Sequence, residues 1–264
     1  MIPPTDDRAA QMGKLEVYAH IIRALVLRDM RTRFGGSHWG YAVLVLWPVA
    51  HIFLMVAIMA FRGLPSPMGD SPMLFVATAC VPALTFQYTS AEVMKAVIAN
   101  KPLLYYPQVK IFDVMFARLI VETVKGFTGI FLVVLILFVV GVDPIPADPD
   151  QAIAGYCASL LLGIGVGAVN IAIVAFFPGW MLGYIAVRIF VYLTCGVFFL
   201  PHMLPEQLYA LMKWNPMVQI IEWVRLAYEP NLGVEIDYVY VMLWGFASLA
   251  LGLLLERTIV RRMT

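Results

Sequence analysis

Six stretches of the chain read as membrane crossings: about Gly40–Phe61, Pro72–Met94, Val109–Gly141, Gln151–Phe177, Pro178–Leu200 and Asp237–Leu255. Hydrocarbon offers no water to an open peptide group, so each such stretch is forced into a helix. The expected fold class is therefore all-α, a polytopic membrane protein with six transmembrane helices. Composition agrees, since 62% of the 264 residues are hydrophobic and 13% are charged. A net charge of +1 gives no field that would draw nucleic acid.

Two segments do not fit as crossings. Lys14–Phe34 places Leu15, Tyr18, Ile22, Leu25 and Val26 at helical spacing, with Arg23, Arg28, Asp29 and Arg31 opposite. This predicts an amphipathic helix on a membrane surface, ended by Gly35-Gly36. Its arginines Arg28, Arg31 and Arg33 are candidates to meet anionic headgroups; the alternative is that they only set topology. Residues 201–236 contain Pro205–Trp214 and Met217–Tyr228, each too short to cross and separated at Asn215-Pro216. They read as a re-entrant or interfacial helix pair. Met217, Ile220, Ile221 and Val224 form its apolar stripe and Glu222 and Arg225 lie on the other side. Asn215, Pro216, Glu222 and Arg225 are candidates for an outer-side gate.

Lysines and arginines fix the expected orientation. They gather in the N-terminal flank, in the loop Lys95–Lys110 (Lys95, Lys101, Lys110) and at Arg257, Arg261 and Arg262. The other side holds Arg62, Lys213 and Arg225 among the acids Asp70, Asp143, Asp148, Asp150, Glu206, Glu229, Glu235 and Asp237. Both termini are expected in the cytoplasm. No removable signal peptide is expected either. Gly155, Ser159, Gly163 and Gly167, with Ser248 and Gly252, are spaced as small-residue packing faces.

The fifth span carries Arg188 near its centre, with Trp180, Tyr184 and Tyr192 at four-residue spacing on one face. Its 23 residues would give a helix of about 34 Å. An arginine at that depth is costly and marks a functional site, unless it pairs with a buried acid of another helix. Trp180 and Tyr184, near one end, also suit interfacial anchoring. In the first span Trp39, Trp47, His51, Met55 and Met59 form a stripe, which suits either a channel wall or helix packing. Arg118, Glu122 and Lys125 read as a charge cluster within the third span, with a place in a translocation path as the other reading.

Several chemistries are excluded. There is no G-x-x-x-x-G-K-[ST] phosphate loop, no H-E-x-x-H and no G-x-S-x-G. Gly163, Gly165 and Ala168 match G-x-G-x-x-A only inside an apolar helix, so no dinucleotide site follows. Cys80, Cys157 and Cys195 lie in apolar runs without C-x-x-C spacing, and neither a disulfide framework nor a metal site is expected. Enzymatic catalysis by this chain, cofactors on it and an intramembrane glycosyltransferase are all disfavoured. An ion-coupled secondary transporter would be expected to show inverted repeats, which are not detected.

Leu27-Arg28-Asp29-Met30-Arg31-Thr32-Arg33-Phe34-Gly35, Gly40-Tyr41 and Trp47-Pro48 resemble the permease subunits of ABC-2-type exporters. So do Phe112-Asp113 with Ala117-Arg118 and Glu122, and Asn215-Pro216-Met217 leading to Glu222 and Arg225. The likeness is to the capsular-polysaccharide (KpsM-type) branch, with O-antigen permeases as cousins. The resemblance implies a pair of these chains working with a pair of ATP-binding subunits that hold ATP and magnesium. It implies a lipid-linked polysaccharide as substrate, and a periplasmic adaptor and outer-membrane channel as further partners. It places the chain in the bacterial inner membrane. The loop Lys95–Lys110, with Asn100, Lys101, Leu103, Leu104 and Tyr105, would dock the ATPase; interfacial anchoring is the alternative. The N-terminal arginines would also receive the charged linker of a lipid-anchored substrate. Trp180, Tyr184, Arg188, Tyr192, Trp47 and His51 are the substrate-path candidates, and their rings favour a sugar over a drug or lipid, while the resemblance implies that the sugar is acidic.

Overall fold

The computed structural model describes residues 13–33, 38–61, 63, 66–69, 71–106 and 108–260. The Gly35-Gly36 break, Arg62, Asp70, Arg261 and Arg262 lie outside these residues, as do the side chains of Arg33 and Trp39. The described residues are helical, without strands: α1 (Lys14–Arg33), α2 (His38–Phe61), α3 (Pro72–Ala99), α4 (Ile111–Val139), α5 (Pro149–Phe176), α6 (Trp180–Thr194), α7 (Glu206–Met212), α8 (Pro216–Tyr228) and α9 (Tyr238–Leu255). A 3₁₀ turn, Lys101–Tyr105, follows α3, and a wide turn, Glu256–Val260, continues α9.

Three of the starts share a local cause. Ser71, Asp148 and Asn215 cap α3, α5 and α8 with side-chain oxygens that accept from Leu74, Gln151 and Met217 backbone N–H groups. Each cap is followed by a proline, whose missing N–H costs nothing in the first turn.

Helices α3, α4, α5 and α9 are long and apolar enough to cross a membrane. The apolar parts of α2 (Leu46–Met59) and α6 are shorter. Here the structure departs from the sequence reading of Pro178–Leu200: α6 has 15 residues, about 22 Å. Gly196 ends it, with φ at +91° and the Pro201 ring packed where a Cβ would sit. Glycine accepts that left-handed conformation without steric cost. At the other end of the bundle α3 runs on to Ala99, so Lys95 is helical and the connecting loop begins at Asn100.

The centre of the bundle is α5. Its small-residue face meets α3, where a Cβ at Gly167 would stand 2.9 Å from the Ser90 carbonyl oxygen. A second small face at Gly165 and Ala168 meets Gly245, Ser248 and Gly252 of α9. Both contacts bring backbones close, as small residues at helical spacing predict. The Ser159 hydroxyl donates to the Pro82 carbonyl at 2.6 Å and joins α5 to α3.

α1 packs against α4 along the bundle's edge. Ile22 and Leu25 are buried with Ala96, Val114 and Ala117, and Val26 packs on them. Of the stripe read as facing the membrane, Ile22, Leu25 and Val26 are therefore turned toward protein, while Tyr18 is exposed, as are Leu27 and Met30, and the Leu15 side chain lies outside the described residues.

Candidate functional site

The α6 face read from the sequence faces inward, onto α3 and α5. The Trp180 indole N–H donates to Asn170 Oδ1 at 2.8 Å, and the Tyr184 ring lies 6.4 Å from the Trp180 ring. Tyr184 is only 2% exposed. Arg188 is half-buried, 5.8 Å from the centre of the Tyr184 ring, and donates from Nη1 to the Gln87 carbonyl at 3.3 Å. The Tyr192 hydroxyl lies 2.6 Å from His51 Nε2 and 3.3 Å from Cys80 Sγ. This face is thus bonded to its neighbours and is not an open wet wall within one chain. The outward face of α6, with Leu182, Ile185, Ile189, Phe190 and Leu193, is exposed and apolar.

His51 and Tyr192, predicted separately on the first and fifth spans, therefore form one contact. Trp47 is 58% exposed. It lies beside Tyr88, which in turn is near Arg188. Tyr88, Gln87 and Asn170 were not singled out in the sequence, because only the folded bundle shows what they face. Lys125 stands 5.2 Å from the Tyr88 ring centre and pairs with Glu122 one turn away. Pro48, Thr85, Tyr88, Glu122 and Lys125 line a small cavity of about 40 Å³, enough for a water molecule.

At the end of the bundle that carries α1, the loop candidates divide. Asn100 is buried, donates to the Ala96 carbonyl at 2.8 Å and accepts from Arg28 at 2.9 Å. Leu103 and Leu104 pack inward on the Ile22–Leu25 cluster. Lys101 and Tyr105 are exposed, as is the neighbouring Tyr106. Arg28 is half-buried and engaged, so of the headgroup candidates Arg31 stands exposed. The charge cluster read within the third span is split. Lys125 and Glu122 do pair within α4, but Arg118 reaches Asp29 and Glu92 on other helices.

At the opposite end, Asn215 and Pro216 start α8 as expected. Glu222 and Arg225 do not line a surface: both are fully buried. Glu222 Oε2 accepts from the Tyr209 hydroxyl at 3.1 Å, and His202 Nδ1 lies 3.5 Å from Oε1. Burial pushes the Glu222 carboxyl up to about 7, opposed by Tyr209 and Arg225, and lowers His202. Arg225 donates to the Phe199 carbonyl at 3.2 Å and lies 4.2 Å from the Phe75 ring centre. α8 has few exposed positions because α3, α5 and α9 all pack on it, which a single apolar stripe did not foretell.

No protein-family model matches the chain. It is 28% identical to the polysialic acid transport protein KpsM of Escherichia coli over 247 residues, 92% of this chain and 95% of that one. It is 24% identical over 243 residues to the capsule polysaccharide export inner-membrane protein CtrC of Neisseria meningitidis serogroup A, covering 92% of each. With the capsule polysaccharide export inner-membrane protein BexB of Haemophilus influenzae it shares 25% identity over 255 residues, 95% of each. Over more than nine-tenths of its length, this helical chain is similar to inner-membrane proteins of capsule polysaccharide export.

Proposed function

We propose that this chain is the permease subunit of an ATP-driven transporter that exports capsular polysaccharide across the bacterial inner membrane. The observation that carries the reading is the end-to-end likeness to capsule-export proteins, which leaves no large part of the chain to serve another role. Two copies pair with two ATP-binding subunits, which supply ATP and magnesium. The six-span reading assigns α2, α3, α4, α5, α6 and α9 as crossings, with both termini cytoplasmic.

The residues suggest a division of labour. Lys101, Tyr105 and Tyr106 present an exposed basic and aromatic tip on which an ATP-binding subunit can dock. α1 lies beside them with Arg31 exposed toward headgroups or the linker of a lipid-linked glycan. Arg188 is the half-buried cation among rings of the α2, α3 and α6 region. A guanidinium offers paired donors to a sugar carboxylate or phosphate, and aromatic faces let sugar rings slide. Glu222, Arg225, Asn215 and Pro216 form the base of the outer gate. A periplasmic adaptor and an outer-membrane channel complete the route.

Deleting the gene should abolish surface polymer and leave it inside the cell, and a plasmid copy should restore it. Unchanged surface polymer in the deletion strain overturns the reading.

A further inference from the structure

We infer that Arg118 is a positioning residue that locks α1 and the loop after α3 into one unit, so that force applied to the loop moves the surface helix with it. This rests on the permease reading above.

The geometry begins with the salt bridges. Arg118 Nη2 lies 2.9 Å from Asp29 Oδ1 of α1, and Nη1 lies 3.2 Å from Glu92 Oε2 of α3. Glu92 continues to Lys95 at 3.0 Å. Arg118 is 3% exposed and Asp29 4%. One guanidinium therefore joins three helices at the end where the loop starts. Five residues along the chain from Lys95, Asn100 accepts from Arg28 of α1 and anchors itself on the Ala96 carbonyl. At the loop's far end the Asp113 carboxylate of α4 accepts from the Lys110 backbone N–H at 2.8 Å.

Apolar packing follows the same route. Leu103 and Leu104 of the 3₁₀ turn pack against the cluster that Ile22 and Leu25 of α1 share with Ala96, Val114 and Ala117. The loop is held to α1 at its beginning through Arg28 and Asn100, and its middle packs on the cluster that contains Ile22 and Leu25.

A buried ion pair is poor evidence of net stability, because desolvating the charges offsets much of their attraction. What such a network does well is fix one register, since a slipped helix would strand a buried charge. Packed elements move as bodies between discrete arrangements, not by continuous bending. A rigid α1–loop unit converts a push on Lys101, Tyr105 and Tyr106 into displacement of α1 at the membrane surface. Without the clasp, the loop can move and leave α1 behind.

The test has two arms. Spin labels are placed at exposed Arg23 and Gln108, with Cys157→Ser, and read by pulsed electron resonance in lipid nanodiscs. With labelled chains diluted among unlabelled copies, the wild type should give one narrow distance distribution that does not change when the ATP-binding subunit is added or trapped. Arg118→Gln should broaden it at least twofold. A broad or shifting wild-type distribution, or a narrow one in Arg118→Gln, overturns the inference without touching the permease reading. In the complete transporter, Arg118→Gln should keep ATP turnover within about twofold while polymer moved per ATP falls about tenfold, and Arg118→Lys should recover part of that loss. Equal falls in turnover and transport, as a merely structural residue would give, also overturn it. If wild-type transporter moves no polymer, the permease reading fails and the distance measurement alone decides the clasp.

Discussion

The Tyr192 hydroxyl and His51 Nε2 meet at 2.6 Å, and this contact joins α6 to α2 through two polar groups set among apolar neighbours. The rings cross edge to face with centroids 5.5 Å apart. Truncating one partner strands the other. Tyr192→Phe or His51→Phe alone should cost about 1–3 kcal/mol. The double variant should cost less than the sum of the singles, because no orphan remains. Thermal unfolding of the three variants in nanodiscs checks this; strictly additive losses would show that the contact carries no coupling.

Glu222 predicts a pH dependence of definite sign. Its folded-state carboxyl is raised to about 7 from an ordinary value of 4.5. The folded state therefore holds the proton more tightly than the unfolded chain. That contribution is fully present below about pH 4.5 and is lost as pH rises through about 7. His202, lowered by burial, works in the opposite sense below its ordinary value. Melting temperature should consequently fall less between pH 5 and 7.5 in Glu222→Gln than in the wild type, since glutamine keeps an acceptor for Tyr209. Parallel profiles would remove Glu222 from the account.

The loop residues separate docking from folding. Tyr105 is 78% exposed, while Leu104 packs against the Ile22–Leu25 cluster. Tyr105→Asp should reduce recovery of the ATP-binding subunit in pull-down at least tenfold and leave the melting temperature unchanged. Leu104→Asp should instead lower stability by about 2–4 kcal/mol, because the carboxylate loses water on entering an apolar contact. If Tyr105→Asp still recovers the partner in full, the exposed tip is not the docking surface.

Much of the fold was legible because its signals are local. Ser71-Pro72, Asp148-Pro149 and Asn215-Pro216 announce helix starts within two residues. Gly163 and Gly167 announce close packing by spacing alone, and the helices of α3 and α5 do meet there. The early end of α6 was hidden because apolar residues continue past Gly196, and only the fold demands a positive φ there. Long-range electrostatics was hidden for a related reason. Spacing shows that Arg118, Glu122 and Lys125 share a helix, but not that Asp29 and Glu92 draw Arg118 away from it. Glu222 and Arg225 looked exposed because one helix's own pattern cannot reveal how many neighbours cover it. The site was legible in its membership more than in its exposure: His51, Trp47, Tyr192 and Arg188 occupy one region, but the Tyr192 hydroxyl is committed to His51 and Cys80 and Tyr184 is buried.

The central claim is that this chain moves an acidic polymer past Arg188. The direct measurement uses inside-out vesicles that carry the chain with its ATP-binding subunit, a labelled lipid-linked capsular polymer outside, and ATP. Wild-type vesicles should take up polymer only with ATP. Arg188→Ala should reduce uptake at least tenfold while subunit assembly and basal ATP hydrolysis persist, and Arg188→Lys should keep part of the uptake because the charge remains. Uptake that needs no ATP, or that proceeds unchanged in Arg188→Ala, would contradict the account.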